Sequence, residues 1–104
     1  MGLFSFSKSN DINQMVAEKG ESTILVDVRE QDEYASGHIP GAVNFPLSTL
    51  DRADLLWSVD TSLYVYCLSG ARSGRAVQFL RSQGYTNVTN IGGINSWRGG
   101  VEKV

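Results

Sequence analysis

Cysteine is almost absent from this chain: Cys67 is the sole one among 104 residues, so neither an internal disulfide nor a cysteine-rich zinc site can be built. Histidine is equally scarce, and the lone His38 leaves an all-protein soft-metal site short of ligands. No metal and no cofactor are expected. An excess of one charge is missing too. Nine basic and eleven acidic residues give a formal net charge of -2, with the bases scattered, which argues against a nucleic-acid partner. No apolar run approaches bilayer-spanning length, so a membrane partner is not expected. The opening MGLFSFSKSN lacks a basic region followed by a long apolar stretch, and Phe6 stands where a myristoylation motif wants Ser or Thr. The expected location is a reducing cytoplasm, where a free thiol stays available for chemistry.

With 41% apolar residues the chain can bury one core and is too short for two ordinary domains. Residues 1–9 read as a lead or edge strand and 10–104 as the domain. Asn10 or Asp11 can cap a helix with Ile12, Met15 and Val16 on its apolar face, and Gly20 is a natural stop. TILVDV, Thr23 to Val28, is a β-branched run buried on both faces. Asp27 interrupts it, and a carboxylate inside a buried run needs partners.

REQDEYASGH reads as a short helix ending at Gly37, followed by a brief strand around Ala42 to Phe45. A second short helix is expected over Ser48 to Trp57, with Leu50, Leu55, Leu56 and Trp57 as core candidates. SLYVYC is the clearest second strand. After Ser73 helical spacing resumes, with Ala76, Val77 and Leu80 inward and Gly84 as the stop. NVTNI makes a last strand, Gly92 and Gly93 a tight turn, and INSWRGG a short closing helix. Strands alternating with helices predict an α/β fold: a small parallel β-sheet flanked by helices on both faces. Sites in such folds form at the C-terminal ends of strands, and both Cys67 and Asp27 fall there.

The bland reading of Cys67 is a buried small apolar residue. Its position favours a nucleophile instead, because a strand turning through Leu68, Ser69, Gly70, Ala71, Arg72 and Ser73 into a helix can aim backbone N–H groups and the positive helix end at one sulfur. The thiol pKa should fall below its usual value of about 8.5. Gly70 permits the backbone turn, Arg72 adds a positive charge near the mouth, and Ser73 can cap the helix or donate from its hydroxyl.

LVDVREQDEYASGHIPGAVNFP, YVYCLSGARS and GYTNVTNIGGINSW together resemble the rhodanese-like domain, in the expected order and over about Asn10 to Arg98. The resemblance implies a stand-alone, single-domain sulfurtransferase. Cys67 would take sulfane sulfur from thiosulfate or a small or protein persulfide, hold it as a persulfide and pass it to a thiol or cyanide. With no second cysteine, discharge must go to an external acceptor.

In the resembled family the Asp27 position is structural, and an acid beside a thiolate would raise its pKa, so Asp27 is read as scaffold. Arg29 and Glu33, four apart near a helix start, are expected to pair with each other and hold the loop after the first strand. His38 belongs to the Gly-His-Ile-Pro-Gly turn, and an ionised thiolate needs no base. Tyr34, Trp57 and Trp97 are assigned to packing. Two rivals remain. Cysteine-based phosphatases and arsenate reductases also close a loop of amides with an arginine, but with one residue more than the four that separate Cys67 from Arg72. A non-catalytic rhodanese-like binding module is the other, and loss of the cysteine is its usual sign.

Overall fold

In a computed structural model, residues 11–104 are described; the expected lead or edge strand at 1–9 and the alternative cap Asn10 lie outside them. Asp11 caps the first helix, accepting from the Asn13 N–H at 2.8 Å, and α1 runs Ile12–Glu18. Then follow β1 (Ile24–Asp27), α2 (Gln31–Ser36), β2 (Val43–Asn44), β3 (Leu63–Cys67), α3 (Ala71–Ser82) and β4 (Val88–Gly93). Gly37 closes α2 as its C-cap. The four strands lie in the order β2-β1-β3-β4, and every pair is parallel.

Both faces of this sheet are covered, which is why its strands read as near-continuous apolar runs. Successive residues alternate between two cores. Val26, Leu63, Val65 and Cys67 pack with Ala76, Val77 and Leu80 of α3, while Leu25 and Tyr66 pack with Ile12, Ile39 and Ile91 on the other face. Cys67 is thus the last member of an inward row that starts at Leu63. Between Val65 and Tyr66 the register with β4 slips by one residue, so Val65 pairs with Asn90 and Tyr66 with Gly92. That slip sets Gly93 beside Cys67.

Three local expectations change. The segment Ser48 to Trp57 is no α-helix; a 3-10 helix spans Leu47–Arg52, and the chain then extends. Leu55, Leu56 and Trp57 are consecutive and cannot share one helical face. In extended chain they alternate: Leu55 and Trp57 are partly buried against the core, and Leu56 is 85% exposed. Leu50 is buried as expected. The closing helix shrinks to a 3-10 turn at Ile94–Ser96, and Gly92 and Gly93, read as a turn, end β4 instead. Among the described residues no helix is long and apolar enough to cross a membrane.

Candidate active site

At the C-terminal end of β3 the chain turns sharply through Leu68, Ser69 and Gly70 into the twelve-residue α3. Gly70 sits at φ +109°, a left-handed conformation that an L side chain strains to adopt. The helix starts there, at Ala71, so Ser73 lies inside its first turn and Gly70, not Ser73, is the N-cap. This turn folds the backbone over the sulfur. The Gly70 N–H donates to Cys67 Sγ at 3.0 Å, and the Ser73 hydroxyl lies 3.4 Å from it.

Cys67 is 1% exposed and Ser73 fully buried. Burial pushes the thiol pKa up, but the Ser73 hydroxyl and the N–H groups of Ser73, Gly70 and Ser69 outweigh it, and the net shift is downward. The cradle is held from below by β4. Asn90 donates from Nδ2 to the Gly70 carbonyl at 3.0 Å, and its Oδ1 accepts from the Ser73 hydroxyl at 2.7 Å and the Gly92 N–H at 3.0 Å. The Asn95 N–H donates to the Leu68 carbonyl at 3.1 Å. Gly93 passes so close beneath the loop that a Cβ there would overlap the Leu68 carbonyl.

Neither Asn90 nor Gly93 stands out as a site residue in the sequence. The available signal was a polar amide inside the last strand, three residues ahead of a glycine that follows another glycine.

The expected Arg29–Glu33 pair does not form. Arg29 follows β1 in non-helical chain and Glu30 is the N-cap of α2, so residues 29 and 33 are not one helical turn apart. Arg29 turns back on Asp27 instead, with Nη2 2.6 Å from Oδ2 and its backbone N–H 2.9 Å from Oδ1, and it also donates to the Gly37 carbonyl. Asp27 is fully buried and Arg29 is 5% exposed. Here is the partner that the buried carboxylate required.

Glu33 faces Arg72. The guanidinium forks onto the carboxylate, Nη1 to Oε1 at 2.8 Å and Nη2 to Oε2 at 3.0 Å, tying the start of α3 to α2. Glu33 also accepts from the Glu30 N–H, closing a capping box. The Arg72 contact, joined by that N–H, overcomes partial burial and holds the Glu33 carboxyl at about 2, from an ordinary 4.5.

His38 stacks on Tyr34 with ring centroids 3.7 Å apart, and its Nδ1 lies 2.9 Å from the Tyr34 carbonyl. Its backbone exchanges hydrogen bonds with Glu102. None of these partners belongs to the cysteine loop. Trp57 packs edge-on against Phe45 at 5.0 Å, and Trp97 against the α1 face.

Beside the loop runs an open groove of about 460 Å³, lined by Ser69, Gly92, Gly93, Ser96, Arg98 and Asp11. Arg98 and Asp11 stand 3.6 Å apart across it. A thiol at the root of a helix, ringed by donors and bordered by a groove, is equipped to ionise and to hold an anion.

Known proteins carry the same frame. The uncharacterized protein YqhL of Bacillus subtilis is 44% identical over 79 residues, 75% of this chain and 63% of that protein. The chain therefore spans just under two thirds of that relative's length. Thiosulfate sulfurtransferase PspE of Escherichia coli is 37% identical over 71 residues, covering 66% of this chain and 68% of that one. Among solved structures, a rhodanese-like domain protein from Staphylococcus aureus superposes with a TM-score of 0.77 at 28% identity, over 88% of this chain and 90% of that chain. The model of the rhodanese-like domain matches residues 9–99, and the chain belongs to that family.

Proposed function

We propose that this protein is a sulfurtransferase that carries sulfane sulfur as a persulfide on Cys67. The observation that carries the reading is the cradle itself: Sγ accepts from the Gly70 N–H at 3.0 Å and lies 3.4 Å from the Ser73 hydroxyl, at the root of α3. The relative named thiosulfate sulfurtransferase supports the class of reaction.

The thiolate attacks the outer sulfur of a donor. With thiosulfate, a bond forms between Cys67 Sγ and that sulfur, the donor's S–S bond breaks, and sulfite leaves with the bonding pair. No net oxidation occurs, because the sulfur moves at its own oxidation level. The persulfide so formed is an anion. The N–H groups of Ala71 and Arg72, at the first two positions of α3, have no carbonyl partner within the helix, and they are the donors available to the outer sulfur. A nucleophilic acceptor, a thiol or cyanide, then removes that sulfur and restores the thiolate.

Burial bears on the choice of reaction. Cys67 is 1% exposed, and a protruding terminal sulfur asks for less room at the thiolate than a phosphorus centre surrounded by four oxygens. Arg72, which would close a phosphate loop, is already forked onto Glu33. The lone thiol suits a reducing compartment, and we assign the reaction to the cytoplasm.

The test is thiocyanate formation from cyanide and a sulfane donor. Wild-type protein should catalyse it and folded Cys67→Ser should not. Turnover of an aryl phosphate at a comparable rate would assign the loop to phosphoryl chemistry. Silence with every sulfane donor would leave a binding module.

A further inference from the structure

We infer that Glu33, by neutralising Arg72, sets the donor class of this site, so that it takes sulfur from a small organic hydropersulfide in preference to thiosulfate. The inference rests on the persulfide reading of Cys67. Its starting point is the charge at the loop mouth. Thiosulfate is a dianion, and it must approach a thiolate. A hydropersulfide, largely a singly charged anion at neutral pH, transfers through its neutral form RSSH: Cys67 Sγ bonds to its outer sulfur, the RS–S bond breaks, and the departing thiolate takes up the proton that the outer sulfur carried. The products are the Cys67 persulfide anion and RSH. Only the first donor needs a free cation.

Among the described residues the loop offers none. Leu68, Ser69, Ala71 and Ser73 are uncharged, and Leu68 is 47% exposed, so the rim is apolar there. Arg72 is the loop's one cation, and both outer nitrogens of its fork are spent on Glu33 at 2.8 and 3.0 Å. Arg98, across the adjoining groove, is matched by Asp11 at 3.6 Å. Arg29 is buried with Asp27. Among the described residues no carboxylate pairs with Arg75, but it stands a turn further along α3 on the exposed face, about 5 Å down the axis. The Glu33 carboxyl is held at about 2, so this neutralisation persists across the working pH range. Room points the same way. The 460 Å³ groove against Ser69 can take the organic body of a small hydropersulfide, which thiosulfate lacks.

Glu33 is a positioning residue in this account, acting through Arg72, and Glu33→Gln isolates its charge. Glutamine serves a capping box as glutamate does, so α2 keeps its cap while Arg72 loses its counter-charge. The experiment measures kcat/KM for cysteine hydropersulfide and for thiosulfate, with cyanide as acceptor, in wild type and variant. In wild type the hydropersulfide should be favoured by about tenfold or more, as expected where a dianion gains no field from the site. In Glu33→Gln the thiosulfate value should rise about three- to tenfold, through KM, and the gain should shrink with added salt. The hydropersulfide value should move by less than the thiosulfate value, because the form that transfers sulfur is the neutral one and even its anion carries one charge where thiosulfate carries two.

Wild-type preference for thiosulfate, or an unchanged donor ratio in folded Glu33→Gln, overturns the inference and leaves the persulfide reading standing. If the variant does not fold, the wild-type ratio alone decides. Transfer from neither donor overturns both.

Discussion

Ser73 reaches Cys67 and Asn90 with a single hydroxyl proton: its Oγ is 3.4 Å from Sγ and 2.7 Å from Asn90 Oδ1. When the thiol is protonated, its S–H can point at Oγ while the hydroxyl donates to Asn90. On ionisation the hydroxyl can swing to the sulfur, because Asn90 Oδ1 keeps the Gly92 N–H at 3.0 Å. Donors to the thiolate are thus ready while Asn90 Oδ1 keeps a backbone partner.

Ser73→Ala removes the largest of the groups that lower the Cys67 pKa, and burial, which raises it, stays. The thiol pKa should rise, because a hydrogen bond to the charged form is lost while burial is kept. The acid limb of the sulfur-transfer profile should move to higher pH with it. Thiolate absorbance against pH in the folded variant checks the first, and a rate profile the second. Linkage gives a further sign. A depressed folded-state pKa means the thiolate adds stability above the unfolded thiol pKa, and that contribution fades as pH falls through the folded value. In Cys67→Ser this pH dependence should vanish.

At Gly93 the test is steric. A methyl group there would overlap the Leu68 carbonyl, so Gly93→Ala must push the loop off β4. Sulfur transfer should fall by about tenfold or more, since small displacements of catalytic groups cost that much. Global stability should change less, by about 1–3 kcal/mol as for other overpacked sites. Rates set beside a denaturation midpoint separate the two effects; full activity would show that the loop does not need its seat.

Asp27 and Arg29 carry the opposite signature. Both are buried, and removing one partner leaves a charge in the core, so Asp27→Ala should destabilise by about 3–5 kcal/mol. For a chain of this size each kcal/mol lowers Tm by about 4–8 °C. The molecules that remain folded should transfer sulfur within about threefold of wild type, because the carboxylate is scaffold. A loss of rate without loss of Tm would make Asp27 part of the chemistry.

The Glu33–Arg72 bond predicts an acid titration. The pair is about a third exposed, so its worth is about 1 kcal/mol or less. Its contribution is complete above the ordinary carboxyl value of 4.5 and is lost as pH falls through about 2. Side-chain carboxyl resonances should place the Glu33 midpoint near about 2 and return it toward 4.5 in Arg72→Met. An ordinary midpoint in wild type would show that the fork is open in solution.

Much of this was legible in the residues because one period did two jobs. Alternation in LYVYC places Leu63, Val65 and Cys67 on one face, and the strand end then aims the thiol at the rim. The Gly70 turn followed from its place between strand and helix. What could not be read was pairing between distant segments. Spacing suggested Arg29 with Glu33, yet Asp27 outcompeted Glu33 because a fully buried carboxylate has most to gain from a guanidinium. Released from Arg29, Glu33 met Arg72, 39 positions away. Asn90 was illegible for the same reason: a one-residue slip in the β3–β4 register, not a local motif, sets the end of β4 against the loop. Leu56 failed by periodicity, since one apolar residue in a run of three must face outward when the chain extends.

The central claim is a sulfur atom on Cys67, and intact-mass analysis tests it most directly. After incubation with cysteine hydropersulfide or thiosulfate and removal of excess donor, wild-type protein should gain the mass of one sulfur atom. Cyanide or a reductant should remove it, and Cys67→Ser should never acquire it. A folded wild-type protein whose mass stays unchanged with every sulfane donor would contradict the account.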